Sequence, residues 1–309
     1  MTDVLPFRCG HVTLAGQPNV GKSTLLNRLI GEKIAIMSPK PQTTRLPLRG
    51  IWTGPDMQAV FVDTPGIHAA RSPLNRAMVG FAIEALEQVD VVVWVLDAGK
   101  SAQWAAKHPH EPLHPADKRV LNDIRRHTDR WLVALNKVDA VAKPKLLPVM
   151  AALGALEGVG AIVPLSARTG DGVSQLLAAI RPFLPEREAE YGADELTDQS
   201  VRFLCAELVR EQVFLQTRDE VPYGVACEVE QWQDLADLTH LQVLVHVEKP
   251  AQRAILIGKG GERLKAIGTA ARLEMERLLE RKVYLELHVR VEPEWSSKVQ
   301  KLKEFGYVL

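Results

Sequence analysis

The residues best placed to do chemistry stand near the start of the chain, in the run Gly16-Gln17-Pro18-Asn19-Val20-Gly21-Lys22-Ser23-Thr24. Glycines here let backbone N–H groups turn inward around phosphate oxygens, and a helix beginning just after the loop adds a partial positive charge. The Lys22 ammonium would reach the β- and γ-phosphates of a nucleoside triphosphate, and the Ser23 hydroxyl would ligate Mg2+. Forty residues after Ser23, Asp63-Thr64-Pro65-Gly66 ends an apolar run. That spacing puts Asp63 near the same metal, through a bound water, and the Gly66 N–H near the γ-phosphate. Asn136-Lys137-Val138-Asp139 offers a carboxylate to the N1–H and exocyclic amine of guanine, a donor pair that adenine lacks. A carboxylate left unpaired costs on the order of 1–3 kcal/mol, so the pattern favours GTP over ATP. Ser166-Ala167 would add a backbone N–H to guanine O6.

Between these motifs, Met37 to Arg45 carries two prolines and the adjacent Thr43 and Thr44. A threonine hydroxyl there would complete the Mg2+ shell while the γ-phosphate is present and leave it after hydrolysis. Thr44 is the first candidate and Thr43 the second. Ile67 follows the DTPG tetrapeptide, where many GTPases carry a Gln that orients the attacking water, so unaided hydrolysis should be slow. Asn19 is placed to help hold K+ against the phosphate oxygens as an activating second cation.

These groups need a scaffold, and the rest of the chain supplies its pattern. With 309 residues, 46% of them hydrophobic and 25% charged, the composition is that of a globular protein of about two domains. Apolar, β-branched runs at His11 to Ala15, Leu46 to Trp52, Met57 to Asp63, Val89 to Asp97, Trp131 to Asn136 and Ala161 to Leu165 alternate with helical stretches. Continuous apolar strands alternating with helices predict an α/β domain with a mostly parallel, doubly wound sheet. Cys9, Cys205 and Cys227 lie far apart without metal-ligand or disulfide spacing, which fits a reducing cytoplasm. Neither a secretory leader nor a membrane-spanning run is expected. Gly99 to Asp117 contains three prolines and His108, His110, Glu111 and His114, and reads as a solvated loop rather than a metal site.

A charged stretch after Leu184 predicts a linker over residues 185–195, separating a nucleotide-binding domain of residues 1–184 from a second domain of residues 196–309. In that second domain Ser200 to Gln216 reads as a helix capped by Thr197 or Asp198, followed by strands and a helix pair around Gly258-Lys259-Gly260-Gly261. Helix-GXXG-helix is the phosphodiester clamp of KH domains. Ile257, the four loop residues, Arg263 and Lys265 are the RNA-binding candidates. Ile255, Ile257, Leu264 and Ile267 serve chiefly as core, with groove contact at its edge. The formal net charge of the chain is zero. Residues 195–309 carry 16 basic and 19 acidic side chains, whereas Ala254 to Val283 alone holds seven basic residues against four Glu. Positive charge is therefore local to the clamp, which predicts selective single-strand binding through few phosphate contacts and a shallow salt dependence.

Taken together, GQPNVGKSTLLN, PQTTR, DTPGIH, NKVD and SA, then TDQSVRFLCAELVREQ and IGKGGERLKAIG, resemble the Era family of bacterial GTPases over nearly the whole chain. The resemblance implies a P-loop GTPase domain followed by an α+β type II KH domain. It also implies binding of 16S ribosomal RNA near its 3′ end, assistance to 30S subunit assembly, and GTP-linked rearrangement between domains. The expected partners are GTP or GDP, Mg2+, K+ as an activating cation, and ribosomal RNA, in a cytoplasmic monomer with peripheral association at the inner membrane. Competing readings are a nucleotide-sensing RNA chaperone in which turnover is not required, and a membrane-linked signalling GTPase.

Overall fold

The computed structural model describes residues 6–66, 72–87, 89–218 and 221–307. The chain divides into two units, residues 1–35, 44–69 and 78–198 forming the first and residues 36–43, 70–77 and 199–309 the second. Ile67 lies outside the described residues.

The sheet of the first unit is built from β1 (Arg8–Ala15), β2 (Leu48–Thr53), β3 (Met57–Asp63), β4 (Val91–Asp97), β5 (Trp131–Asn136) and β6 (Val159–Pro164), in the order β2-β3-β1-β4-β5-β6. All neighbours run parallel except β2, which pairs antiparallel with β3. Only Gly54-Pro55-Asp56 joins those two strands, far too little chain for a crossover. Helices α1 (Lys22–Ile30), α2 (Pro73–Glu87), α3 (Ala98–Lys107), α4 (Pro115–His127), α5 (Leu147–Gly154) and α6 (Val173–Ile180) fill the connections. Both faces are covered, so β3 and β5 are buried along their whole length and carry no polar alternation. Trp94 and Trp131 meet edge to face in this core, with ring centroids 6.2 Å apart. The parallel strands end together at Ala15, Asp63, Asp97, Asn136 and Pro164, the edge where open α/β sheets bind ligands.

Two local expectations are corrected here. Residues 99–117 are not a loop throughout, because α3 occupies the first half. Ala98, Ser101, Ala102 and Ala105 form a buried stripe of small residues at helical spacing, and the Asp97 carboxylate accepts from the N–H groups of Gly99 and Lys100 as its N-cap. The prolines fall after this helix, with Pro115 at the start of α4, where a missing N–H is tolerated. The cap of the helix Val201–Gln216 is Ser200, whose Oγ accepts from Phe203 N at 3.2 Å, while Asp198 pairs with Arg49 at 2.8 Å. The charged stretch 185–195 runs along the first unit, where Cys9 N donates to Pro185 O and the Glu190 and Tyr191 N–H groups donate to Gln58 Oε1.

The second unit holds α7 (Val201–Gln216), β7 (Val225–Asp234), β8 (Leu238–Val247), α8 (Pro250–Ile257), α9 (Glu262–Leu279), β9 (Lys282–Val291) and α10 (Val299–Glu304). Its sheet has the order β7-β8-β9, antiparallel then parallel. Val209 and Val213 of α7 and Ile267, Ala271 and Met275 of α9 pack with Val243 and Val245 of β8 in one core. Residues 36–43 belong to this unit. Met37 N donates to Glu211 Oε1 at 2.7 Å, Arg210 Nη2 donates to Thr43 O at 2.7 Å, and the Lys40 ammonium donates to the carbonyls of Phe214 and Thr217. The last carbonyls of a helix have no partner within it, and a cation there also meets the negative end of the dipole.

Candidate functional site

The phosphate loop is held open from behind. Gly21 has φ +100°, and a Cβ on it would lie 2.4 Å from Asn136 Nδ2. Only glycine therefore lets the loop turn and Asn136 approach. That buried amide donates to Val20 O at 2.9 Å and accepts from the N–H groups of Lys137 and Ala167 at 2.8 and 3.0 Å. Asn136 is thus a strut tying the phosphate loop to the Ser166-Ala167 loop, a role its place in a tetrapeptide does not disclose. Lys137 donates to Asn19 O at 2.6 Å and Asp97 Oδ2 at 2.8 Å, bracing the exposed end of the same loop. Pro18 lies against Gly66, and the buried Thr64 hydroxyl donates to Leu14 O, which fixes the DTPG turn beside the phosphate loop.

Lys22 is buried and donates to the carbonyls of Gly16 and Gln17 at 3.3 and 3.2 Å. Ser23, at the start of α1 with Thr24 beside it, donates to Asp63 Oδ2 at 2.6 Å. Thr44 Oγ1 lies 2.9 Å from Ser23 Oγ and donates to Asp63 Oδ2 at 3.2 Å. Thr43 instead bonds to Ser38 Oγ and Lys40 O within its own segment. Three oxygens thus converge from α1, the residues before β2 and the end of β3. The donor set suits Mg2+, which prefers carboxylate and hydroxyl oxygens. Two further observations fit a cation and a phosphate there. Asp63 Oδ1 is buried and has no hydrogen-bond partner among the described residues. Burial raises the Asp63 carboxyl pKa despite Lys22, Ser23 and Thr44, and burial lowers that of Lys22 despite Asp63. Each buried charge is under-compensated alone, and a triphosphate with a divalent cation would relieve both.

Asp139 lies in the short turn that follows β5. A hydrogen bond from Ser166, followed by Arg168, holds its carboxyl below the usual range, so it is ionised and acceptor-only at neutral pH. Arg168 Nη2 donates to it at 2.5 Å.

In the second unit the GXXG loop joins α8 to α9. Gly258 has φ +73°, and a Cβ there would lie 2.9 Å from that of Arg263, whereas the space around Gly260 and Gly261 is open to 4 Å. Two glycines with nothing above them allow a sugar-phosphate backbone to come close. Beside the loop lies a groove of about 490 Å³, lined by Leu264, Lys265, Gly268, Arg272, Tyr284 and Leu287 among others. The structure sorts the apolar candidates. Ile267 is fully buried core, Leu264 walls the groove, Ile257 is half-buried and Ile255 is 41% exposed. Lys259 is exposed, while Arg263 Nη1 donates to Ile255 O at 2.6 Å and stiffens the loop. Tyr284 and Leu287 were not foreseen, and their only signal was an aromatic at an outward position of β9.

Residues 11–137 match the family model described as 50S ribosome-binding GTPase, and residues 220–296 match the KH domain model. GTPase Era of Geotalea uraniireducens is 46% identical over 302 residues, which span 97% of this chain and 98% of that protein. The chain belongs to the Era family of GTPases. GTPase Era of Pseudomonas fluorescens is 42% identical over 309 residues, with 99% of each chain covered. Two solved Era structures align at a TM-score of 0.90 and 36% identity, over 98% of this chain and 100% of theirs. One is a variant of the Aquifex aeolicus protein bound to GDP.AlF4-, and the other an Era complex with MgGDPNP and nucleotides 1506–1542 of 16S ribosomal RNA. In this chain a P-loop GTPase domain precedes a KH domain. No helix among the described residues is long and apolar enough to cross a membrane.

Two of the histidines of residues 99–117, His108 and His114, have local structural work. His108 stacks on Trp104 at 3.7 Å, and His114 Nδ1 accepts from Ala116 N as the N-cap of α4. Sequence reasoning missed the partner that this segment gives the phosphate loop. Asp117 Oδ1 accepts from Gln17 Nε2 at 2.5 Å, across 100 positions of sequence.

Proposed function

We propose that this chain is a GTP-driven switch that binds 16S ribosomal RNA near its 3′ end and assists assembly of the 30S subunit. The observation carrying the reading is that one chain holds both the Ser23, Thr44 and Asp63 oxygen cluster and an open GXXG clamp beside a groove. The RNA-bound Era complex supports the choice of RNA. Catalysis is assigned to residues 1–184 and RNA binding to residues 196–309, with 185–195 as the connection. The triphosphate would lie on the backbone N–H groups of the phosphate loop, and guanine would be read by Asp139 and the N–H of Ala167. Ser23, Thr44 and Asp63 would hold Mg2+, which when bound neutralises charge on the β- and γ-phosphate oxygens. Lys22 brings a desolvated positive charge to the same oxygens, where it strengthens as negative charge moves toward the β–γ bridge. Water attacks the γ-phosphorus, the bond to the bridging oxygen breaks, and GDP and phosphate leave. Loss of the γ-phosphate frees Thr44 and with it the segment that precedes β2.

Two experiments test the reading. Crosslinks between the protein and cellular RNA should concentrate at the 3′ end of 16S RNA, and crosslinks spread evenly over the ribosome overturn it. Replacing Lys259 and Gly260 together by Asp sets two carboxylates against the phosphodiester chain and should weaken binding of that RNA at least about tenfold. GTP hydrolysis without RNA should stay at its original rate, and undiminished RNA binding would remove the clamp from the proposal.

Asn19 is assigned to K+ coordination against the phosphates. Hydrolysis should run several-fold faster in potassium than in sodium buffer, and Asn19→Ala should abolish the difference. Equal rates in the two buffers overturn the assignment. The same reading places the chain in the cytoplasm as a monomer, with peripheral contact at the inner membrane that sedimentation with vesicles can check.

A further inference from the structure

The segment that family resemblance leaves unexplained, residues 99–117, supplies a brace for the catalytic lysine. We propose that Asp117 is a positioning residue for GTP hydrolysis, acting through Gln17 on Lys22. Gln17 is held at both ends. Its carbonyl accepts from the Lys22 ammonium at 3.2 Å, and its side-chain amide donates to Asp117 Oδ1 at 2.5 Å. Between them the residue links the start of α4 to the group that meets the β- and γ-phosphates.

Asp117 is itself aimed by its surroundings. It stands in the first turn of α4, where its N–H donates to His114 O, and the His114 ring meets Trp104 edge-on at 4.5 Å. Trp104 is tied in turn, with Nε1 donating to Glu111 O at 2.9 Å and its ring stacked on His108. Asp117 as a residue is only 7% exposed, and burial raises its carboxyl pKa against the opposing effects of Gln17, His114 and Lys100. Among the described residues Asp117 has no salt-bridge partner; a buried carboxylate so placed is costly to keep, and such groups cluster at working sites. Beside it lies a cavity of about 320 Å³ bounded by Gln17, Val20, Lys100, Trp104, His114 and Asp117 among others. Released from Asp117, the Gln17 side chain has that space to turn into, and its carbonyl loses the constraint that places Lys22. Misplacing a group in contact with the transferring phosphoryl slows chemistry more than it weakens ground-state binding.

The proposal rests on the GTPase reading, and a wild-type chain that does not hydrolyse GTP would sink that reading and not only this one. With active wild type in hand, Gln17→Leu and Asp117→Ala should each lower the single-turnover rate at saturating GTP by about tenfold, and the double variant by no more than either single one. Affinity for GDP should stay within about twofold, because the backbone cradle of the α- and β-phosphates is untouched. Asp117→Asn retains the acceptor oxygen and should recover most of the rate. A merely structural Asp117, serving the dipole of α4, predicts additive losses, no coupling to Gln17 and a fall in thermal stability instead. Gln17→Leu leaves α4 intact and decides the matter even where Asp117→Ala fails to fold. An unchanged hydrolysis rate for Gln17→Leu, or additive effects in the double variant, overturns the proposal.

Discussion

Replacing Lys22 with Ala is expected to lower the single-turnover rate of GTP hydrolysis by about 10²- to 10³-fold, the loss typical when one preorganised donor to a developing charge is removed. The expectation follows from where the charge is kept. The ammonium is buried, held by two carbonyls rather than by a carboxylate, and its pKa is lowered by burial with Asp63 only partly opposing. A cation so weakly compensated is available to phosphate oxygens, and in a desolvated loop it acts with less screening than in water. The same substitution leaves the Gly16 and Gln17 carbonyls without a donor, so the nucleotide-free protein should also lose about 1–3 kcal/mol. Rapid-quench measurement with radiolabelled GTP and urea unfolding without nucleotide check the two halves. A rate within tenfold of wild type would mean that another group carries the charge.

Asp139→Asn is expected to reduce GTP affinity by about 10²-fold or more and to raise affinity for xanthosine triphosphate. Asp139 is ionised and accepts only, so it suits the two donors on the guanine edge. An amide in its place turns one donor toward another, whereas xanthine carries an oxygen where guanine carries the amine and can accept from it. The exposed Arg168 competes little for the carboxylate, since a solvated pair contributes about 0–1 kcal/mol. Binding titrations with the two triphosphates decide this, and unchanged GTP affinity would show that the base is read elsewhere.

What the chain discloses without its fold is uneven, and the unevenness has a cause. The phosphate loop, the DTPG turn, the NKVD run and the GXXG loop are contiguous, because each needs particular backbone angles or donors within a few residues. Gly21 and Gly258 illustrate this, each combining positive φ with a neighbour too close for a Cβ. The parallel strands were legible for a similar reason, since burial on both faces leaves an unbroken apolar run. The antiparallel course of β2 needed only the length of its connection.

Other features escaped because the feature that betrays them is not local. Helix α3 hides its core face in a stripe of Ala and Ser, too weakly apolar to stand out among lysines, histidines and prolines. Among Thr197, Asp198 and Ser200 the cap is chosen by which oxygen lies over the free N–H of Phe203. Neither Thr43 nor Thr44 declares itself, because adjacent residues of the same type differ only in the direction the backbone gives them.

By itself, then, the sequence determined the reaction class, the order of the two domains and the loops proposed to touch ligand, since those depend on residue type and short spacing. Tertiary structure alone decided which distant groups support them. Asn136 became a strut, Asp117 reached Gln17 and Thr44 met Ser23 and Asp63 only once the packed strands and helices had brought those residues together. A hydrogen bond acts over about 3 Å whatever the separation along the chain, so no spacing in the sequence announces such partners.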